Sequence, residues 1–164
     1  MVGQVDRAPD ILNSKYLSQK LEAIGIKFWL IKHGPAYSAT AASEELQAPL
    51  DRIVKTILFI DGSAKPLLVV CRGDKRVNQT ALARRLGMDG LRLATAEEVV
   101  KITGYQVGSL PPVALLSPIR TVVDQELPPD VMVYAGGGEI DMTLKIRLSD
   151  IVEVQKAEMV RLRD

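Results

Sequence analysis

Hydrophobic and polar positions along the chain switch between a helical and an alternating period, and the switches mark the elements. Leu17, Leu21 and Ile24 recur at helical spacing behind Ser14, a candidate N-cap, and Gly25 is placed to end that helix. Residues 26–32, IKFWLIK, read as a strand, and HGPAYSAT after them as a turn-rich loop. Ser38 or Thr40 is placed to cap a short helix through Leu46. Residues 52–61, RIVKTILFID, are rich in β-branched side chains and predict a strand. Gly62-Ser63 makes a turn, and PLLVVC (66–71) is the antiparallel return. Asn78 is placed to cap a helix through Leu86, with Gly87 behind it. Leu91 to Ala94 reads as a short strand, and Thr95 caps a helix through Ile102.

The next stretch breaks the pattern. Residues 103–118, TGYQVGSLPPVALLSP, hold two glycines and three prolines, which exclude a regular helix and a central strand. Val113 to Leu116 are nevertheless apolar, so this loop is expected to pack inward with a fixed shape. Three strands follow: Ile119 to Asp124, Val131 to Ala135 and Asp141 to Ile146. Gly136-Gly137-Gly138 lies between the last two, and Ser149 is placed to cap a final short helix. No internal repeat, low-complexity tract or linker interrupts the series. The pattern predicts one α+β domain over 1–164, with 1–25 an N-terminal helical segment.

Composition narrows the class. Hydrophobic residues at 47% and charged residues at 25% argue against long disorder and coiled coil. Lys and Arg number 21 against 20 Asp and Glu, which excludes coating of nucleic acid by bulk charge. The balance is uneven, because residues 51–92 carry 9 basic and 4 acidic side chains while 93–164 carry 7 and 11. A basic middle suits one localised anion, with Arg72, Lys75, Arg76, Arg84 and Arg85 as candidate phosphate contacts. A single cysteine (Cys71) and a single histidine (His33) exclude a disulfide framework and argue against a metal site; no cofactor motif is present. The N-terminus lacks the apolar core of a signal peptide, and no apolar run reaches a membrane span. The expectation is a cytoplasmic protein without membrane contact.

Few residues carry candidate chemistry. Strand alternation puts Lys55 on a face shared with Ile53, Ile57 and Phe59. It either snorkels at a strand edge or projects a cation into a pocket, to hold a phosphate or polarise a carbonyl. Gly108-x-x-x-Pro112 is either a turn with a rigid exit or a fixed backbone whose N–H groups line a pocket. Gly136, Gly137 and Gly138 are more glycines than a hairpin needs, and form either a flexible loop or a second wall where ligand meets backbone. His33 opens the turn His33-Gly34-Pro35 as a loop residue or a pocket contact, and Cys71 in its apolar strand reads as inert core. G-x-G-x-x-G, the P-loop and G-x-S-x-G are all absent, so an enzyme of this sequence would activate water or use groups of its substrate.

Taken in order, IVKTILF with Lys55, CRGDKRVN, EEVVKITGYQVGSLPPVALL, a strand ending at Asp124, and AGGGEIDMTLKIRLSDI resemble the YbaK / prolyl-tRNA synthetase-associated editing-domain family, from about His33 to about Val152. The resemblance implies a compact α+β fold around a mixed, curved β-sheet with surrounding helices. It implies a trans-editing deacylase that hydrolyses the ester of a mischarged small amino acid, such as Ala or Cys, on tRNA, with tRNA(Pro) the expected carrier. The implied partners are the acceptor end of that tRNA and an aminoacyl-tRNA synthetase. Lys55 matches the family's key functional residue, and Gly108 and Pro112 match its substrate-pocket motif. His33 stands where some alanine-editing relatives carry a histidine. Many relatives follow the proline with Phe-Gly or Ile-Gly, where this chain has Val113-Ala114. The competing expectation is a non-catalytic module of the same fold that binds a tRNA 3′ end or a protein.

Overall fold

Local capping chemistry sets most helix boundaries in the computed structural model, which describes residues 11–34 and 38–164. Pro35 and the first ten residues of the N-terminal segment lie outside that range. Helix α1 (Ser14–Ala23) is capped by Asn13, one residue before the expected Ser14, because the Asn13 side chain accepts the Tyr16 N–H. Ser38 caps α2 (Ala39–Leu46), Asn78 caps α3 (Gln79–Leu86), and Thr95 forms a reciprocal capping box with Glu98 at the start of α4 (Ala96–Thr103). The last helix, α5 (Leu148–Gln155), starts one residue ahead of the expected cap. Ser149 lies inside its first turn and Arg147 occupies the cap without a side-chain bond.

The strands divide between two sheets. Five strands run in the order β4 (Arg92–Leu93), β2 (Val54–Ile60), β3 (Pro66–Arg72), β5 (Thr121–Asp124) and β8 (Glu158–Val160). The β2–β3 hairpin is antiparallel, from Val54↔Arg72 to Ile60↔Pro66, whereas β5 and β8 join in parallel, so this sheet is mixed as expected. The strand β8 was not anticipated; three residues are too short to show a period, and parallel pairing with β5 supplies what the local sequence lacks. Strands β1 (Phe28–Lys32), β7 (Met142–Arg147) and β6 (Met132–Gly136) form an antiparallel three-stranded sheet. The two sheets meet at one parallel bridge, Ile53↔Tyr134, just before β2 begins.

Three apolar clusters hold these layers. Val54, Val70 and Val123 of the larger sheet pack against Val133, Leu144 and Ile146 of the smaller one, with Leu17 and Leu21 of α1. Leu58, Ile60 and Leu68 pack with Val99 of α4 and the loop residues Tyr105 and Leu110. On the opposite face of the hairpin, Phe59, Leu67, Val69 and Cys71 pack with Leu82 of α3. Both faces of β2 and β3 are therefore covered, which explains why they read as continuous apolar runs. Cys71 is fully buried, and burial pushes its thiol up to about 11, so it is the inert core residue the sequence suggested.

The C-terminal tail is tied down by one buried carboxylate. Asp124, at the end of β5, is fully inaccessible and accepts from Arg163 and from the backbone N–H groups of Arg72 and Glu126. Burial alone would raise its pKa, but the Arg163 guanidinium and the two N–H groups together hold it below the usual carboxylate range. A depressed folded value means that this contribution is present above the unfolded pKa, about 3.9, and fades as the pH falls through the lower folded value. Asp124→Asn should cost about 1–3 kcal/mol at neutral pH, since it removes a buried charge partner of Arg163 and leaves that guanidinium only the more exposed Glu126. It should also flatten the acid limb of the stability curve. Urea unfolding between pH 2 and pH 7 measures both effects, and an unchanged acid limb would rule the account out.

Candidate active site

A cleft of about 480 Å³ opens at the seam between the two sheets, beside the Ile53–Tyr134 bridge. Its floor comes from β2, which contributes Lys55 and Thr56. Tyr134 and Gly136 of β6, with Thr143 of β7, form a second side. The turn at Gly108 closes one end, and Ala39 and Ala42 of α2 form the facing wall. This size and mixed lining suit a small polar ligand held in an apolar frame.

Lys55 is exposed while Phe59, on the same strand face, is buried, so that face runs from core to solvent at the cleft. Among the described residues no carboxylate pairs with Lys55. Its neighbour Thr56 carries a buried hydroxyl oxygen with no hydrogen-bond partner among the described residues. Such an orphan costs about 1–3 kcal/mol until a polar group reaches it.

The glycines have separate duties. Ser109 N–H donates to the Gln106 carbonyl, closing a tight turn in which Gly108 has φ +91, a conformation that favours glycine. The next residues dock onto the β6–β7 hairpin. Gly138 N–H donates to the Ser109 carbonyl at 2.9 Å, and a Cβ on Gly136 would stand 2.3 Å from the Leu110 carbonyl oxygen. The two features that looked separate in the sequence are thus one contact, a loop seated in a slot made by missing side chains. Tyr105 pegs the same loop from behind: it is fully buried and its hydroxyl donates to the Ala114 carbonyl at 2.8 Å.

His33 is brought to the cleft by an unexpected partner. Its Nδ1 meets the Gly34 carbonyl, which can only accept, so Nδ1 carries a proton. In the neutral ring Nε2 then accepts from the Thr143 hydroxyl at 2.7 Å. The Gly34 N–H is held by the Glu45 carboxylate of α2, which ties this turn to the facing wall.

The structure therefore gathers His33, Lys55, Gly108 and Gly136 around one cleft. It sets Pro112, Gly137 and Gly138 outside the lining. Pro112 is buried behind the loop, Gly137 crosses the Met142 backbone, and Gly138 lies against the start of α1 at Asn13 and Ser14. Arg72 is committed to Asp74, and Arg85 donates to the Arg161 carbonyl, so these two candidate phosphate contacts are engaged elsewhere. Sequence reasoning missed Thr56, Tyr134, Thr143 and the wall from α2. Thr56 had a signal, a hydroxyl inside an apolar strand; Thr143 had none, because its partner lies 110 residues away.

Comparison with known proteins points the same way. Residues 33–154 match the family model of the aminoacyl-tRNA editing domain. Among curated proteins, the proline–tRNA ligase of Nitratidesulfovibrio vulgaris (strain Hildenborough) is 36% identical over 110 residues, and that of Latilactobacillus sakei is 36% identical over 108. These stretches cover 67% and 66% of this chain but only 19% of each ligase, so the similarity spans about a fifth of those relatives. Among solved structures, a hypothetical protein superposes with a TM-score of 0.82 at 34% identity, covering 90% of this chain and 98% of its own. Another, provisionally described as a trans-editing enzyme for prolyl tRNA synthetase, superposes with a TM-score of 0.81 at 25% identity, covering 97% and 99%.

Two substitutions test the seating of the loop. Gly136→Ala should lose about 1–3 kcal/mol in denaturant unfolding, because backbone cannot yield to the new methyl. Ala114 has φ +59 in the same loop, so Ala114→Gly should gain about 0.5 kcal/mol by relieving a left-handed alanine. A thermal melt showing loss in the second variant would mean that the Ala114 methyl packs better than its backbone sits.

Proposed function

The chain belongs to the aminoacyl-tRNA editing domain family, and on that footing we propose that it acts as one trans-editing domain. It would hydrolyse the ester linking a mischarged small amino acid, such as Ala or Cys, to tRNA. The observation that carries this reading is the cleft at the sheet seam, where Lys55, with no carboxylate partner among the described residues, shares the lining with the backbone of Gly108 and Gly136. Proline–tRNA ligases among the relatives favour tRNA(Pro) as the carrier.

An aminoacyl ester is already activated, so the site does not need a strong nucleophile. A water oxygen attacks the ester carbon and the carbonyl oxygen becomes an oxyanion. Backbone N–H groups at the Gly108 turn are the proposed donors to that oxyanion, worth about 3–4 kcal/mol for a good donor. Collapse of the tetrahedral carbon breaks the bond to the ribose oxygen, which leaves with the proton given up by the water. Lys55 supplies positive charge to the ester carbonyl or to the terminal phosphate. His33 positions Thr143 on the cleft wall. Pro112, Gly137 and Gly138 act at one remove, by keeping the Gly108 loop in its slot. Selection among amino acids rests on volume, and one methylene there is worth only about 1–3 kcal/mol.

A deacylation panel of tRNAs mischarged with Ala, Cys and other small residues tests the proposal. Lys55→Ala should lower kcat/KM at least about 100-fold with unchanged circular dichroism. Wild-type rates in that variant would remove Lys55 from the mechanism, and no hydrolysis of any mischarged tRNA would sink the deacylase reading.

A further inference from the structure

The outer face of the three-stranded sheet carries an aromatic and cationic row that the cleft alone does not explain. Trp29 on β1, Lys145 on β7 and Tyr134 on β6 are direct cross-strand neighbours, so all three project from the same face. The Lys145 ammonium lies 5.4 Å from the Trp29 ring centroid and 5.6 Å from that of Tyr134, bridging the two rings. The Lys27 ammonium also lies 5.5 Å from the Trp29 ring centroid. Trp29 is 45% exposed, unusual for the largest apolar side chain. The opposite face of this sheet is core, with Leu144 and Ile146 under α1, so the row is not a leftover of that packing.

The neighbouring positions extend the pattern. Arg147, two residues along β7 on the same face, is exposed and opposite Met132, with its guanidinium donating to the Asp130 carbonyl at 2.6 Å. In the other direction the next row is Ile31, Thr143 and Gly136, which runs into the cleft, and Tyr134 itself lines the cleft. The acidic residue at that end, Asp141, is matched by Lys32. The face therefore offers two rings about 10 Å apart, two strand spacings, with Lys27 and Lys145 around them, and it is continuous with the reaction site. An exposed and a half-buried ring interleaved with cations on an open sheet face are what unpaired bases and their phosphates need: a π-surface for any base and charge for the backbone.

We propose that this face is the docking platform for single-stranded RNA leading into the cleft, with bases stacking on Trp29 and Tyr134 and phosphates on Lys27 and Lys145. The identity of that RNA as a tRNA acceptor end rests on the editing reading; the platform itself does not. It also adds phosphate contacts outside the basic segment 51–92, where Arg72 and Arg85 are already engaged and Lys55 serves the cleft.

Trp29 is the single tryptophan of the chain, so its fluorescence reports on the platform directly. The probe is a short, single-stranded oligoribonucleotide containing adenosine and cytidine and bearing no amino acid. It should quench Trp29 on binding. By anisotropy of the labelled oligonucleotide, Trp29→Ala should weaken binding about tenfold, and Trp29→Phe should restore most of it. Lys145→Ala and Lys27→Ala should each lower the salt slope by about 0.7. Thermal melts check that the half-exposed Trp29 variants remain folded. Absence of quenching, equal binding by Trp29→Ala, or equal affinity for a duplex of the same length would overturn the platform. So would self-association that Trp29→Ala abolishes, since the face would then be an interface between copies. Deacylation measured in parallel separates the two ideas. Hydrolysis without Trp29-dependent binding defeats the platform and leaves editing standing. Trp29-dependent binding without hydrolysis supports the platform and defeats the deacylase.

Discussion

The antiparallel pairing of β2 with β3 is the constraint on which the other elements depend. Seven residue pairs tie these strands, and both of their faces are covered. One face meets the smaller sheet, α1 and α4; the other meets α3. Because the hairpin is committed on both sides, its departure from the core can only be at an end. That end is where Ile53 bridges to Tyr134 and where Lys55 leaves the apolar face. The cleft is thus a consequence of how two twisted sheets diverge from a shared seam, and the cation in it stands exposed between half-buried Ile57 and buried Ile53.

Much of the architecture was legible because its signals are local. Asn78 and Thr95 cap their helices as their residue types demand, and the alternating or continuous apolar runs of β2 and β3 gave both strands. What was not legible depends on pairing at a distance. The division into two sheets turns on one bridge, and β8 exists only because β5 offers it an edge. At the site, Lys55 and Gly108 stood out because a charge on an apolar face and a glycine in a proline-bounded loop are anomalies in their own neighbourhoods. Thr143 is an ordinary strand residue until His33 arrives opposite it. The glycine triplet was recognised as too rich for a turn, but its three tasks, against Leu110, Met142 and α1, follow from tertiary contacts that no local pattern carries.

Charge illustrates the same separation. The surplus of basic residues in 51–92 is real in the sequence, yet in the fold Arg72 answers Asp74, Arg92 answers Glu98, and Arg85 meets a carbonyl. Lys27 and Lys145 belong to segments with no such surplus and come together at Trp29 because β1 lies beside β7. Local charge density along a chain says little about where a field converges; register decides it.

The seating of the Gly108 loop on Gly136 has a consequence for how such a pocket changes over time. One of its walls is backbone against backbone, with no room for even a methyl group, and so admits almost no variation. The wall across from it is a short helix presenting Ala39 and Ala42, small side chains that can be enlarged or polarised singly. A rigid wall and a replaceable one therefore bound the same space. The first is fixed by what the chain lacks, and the second is left free to drift.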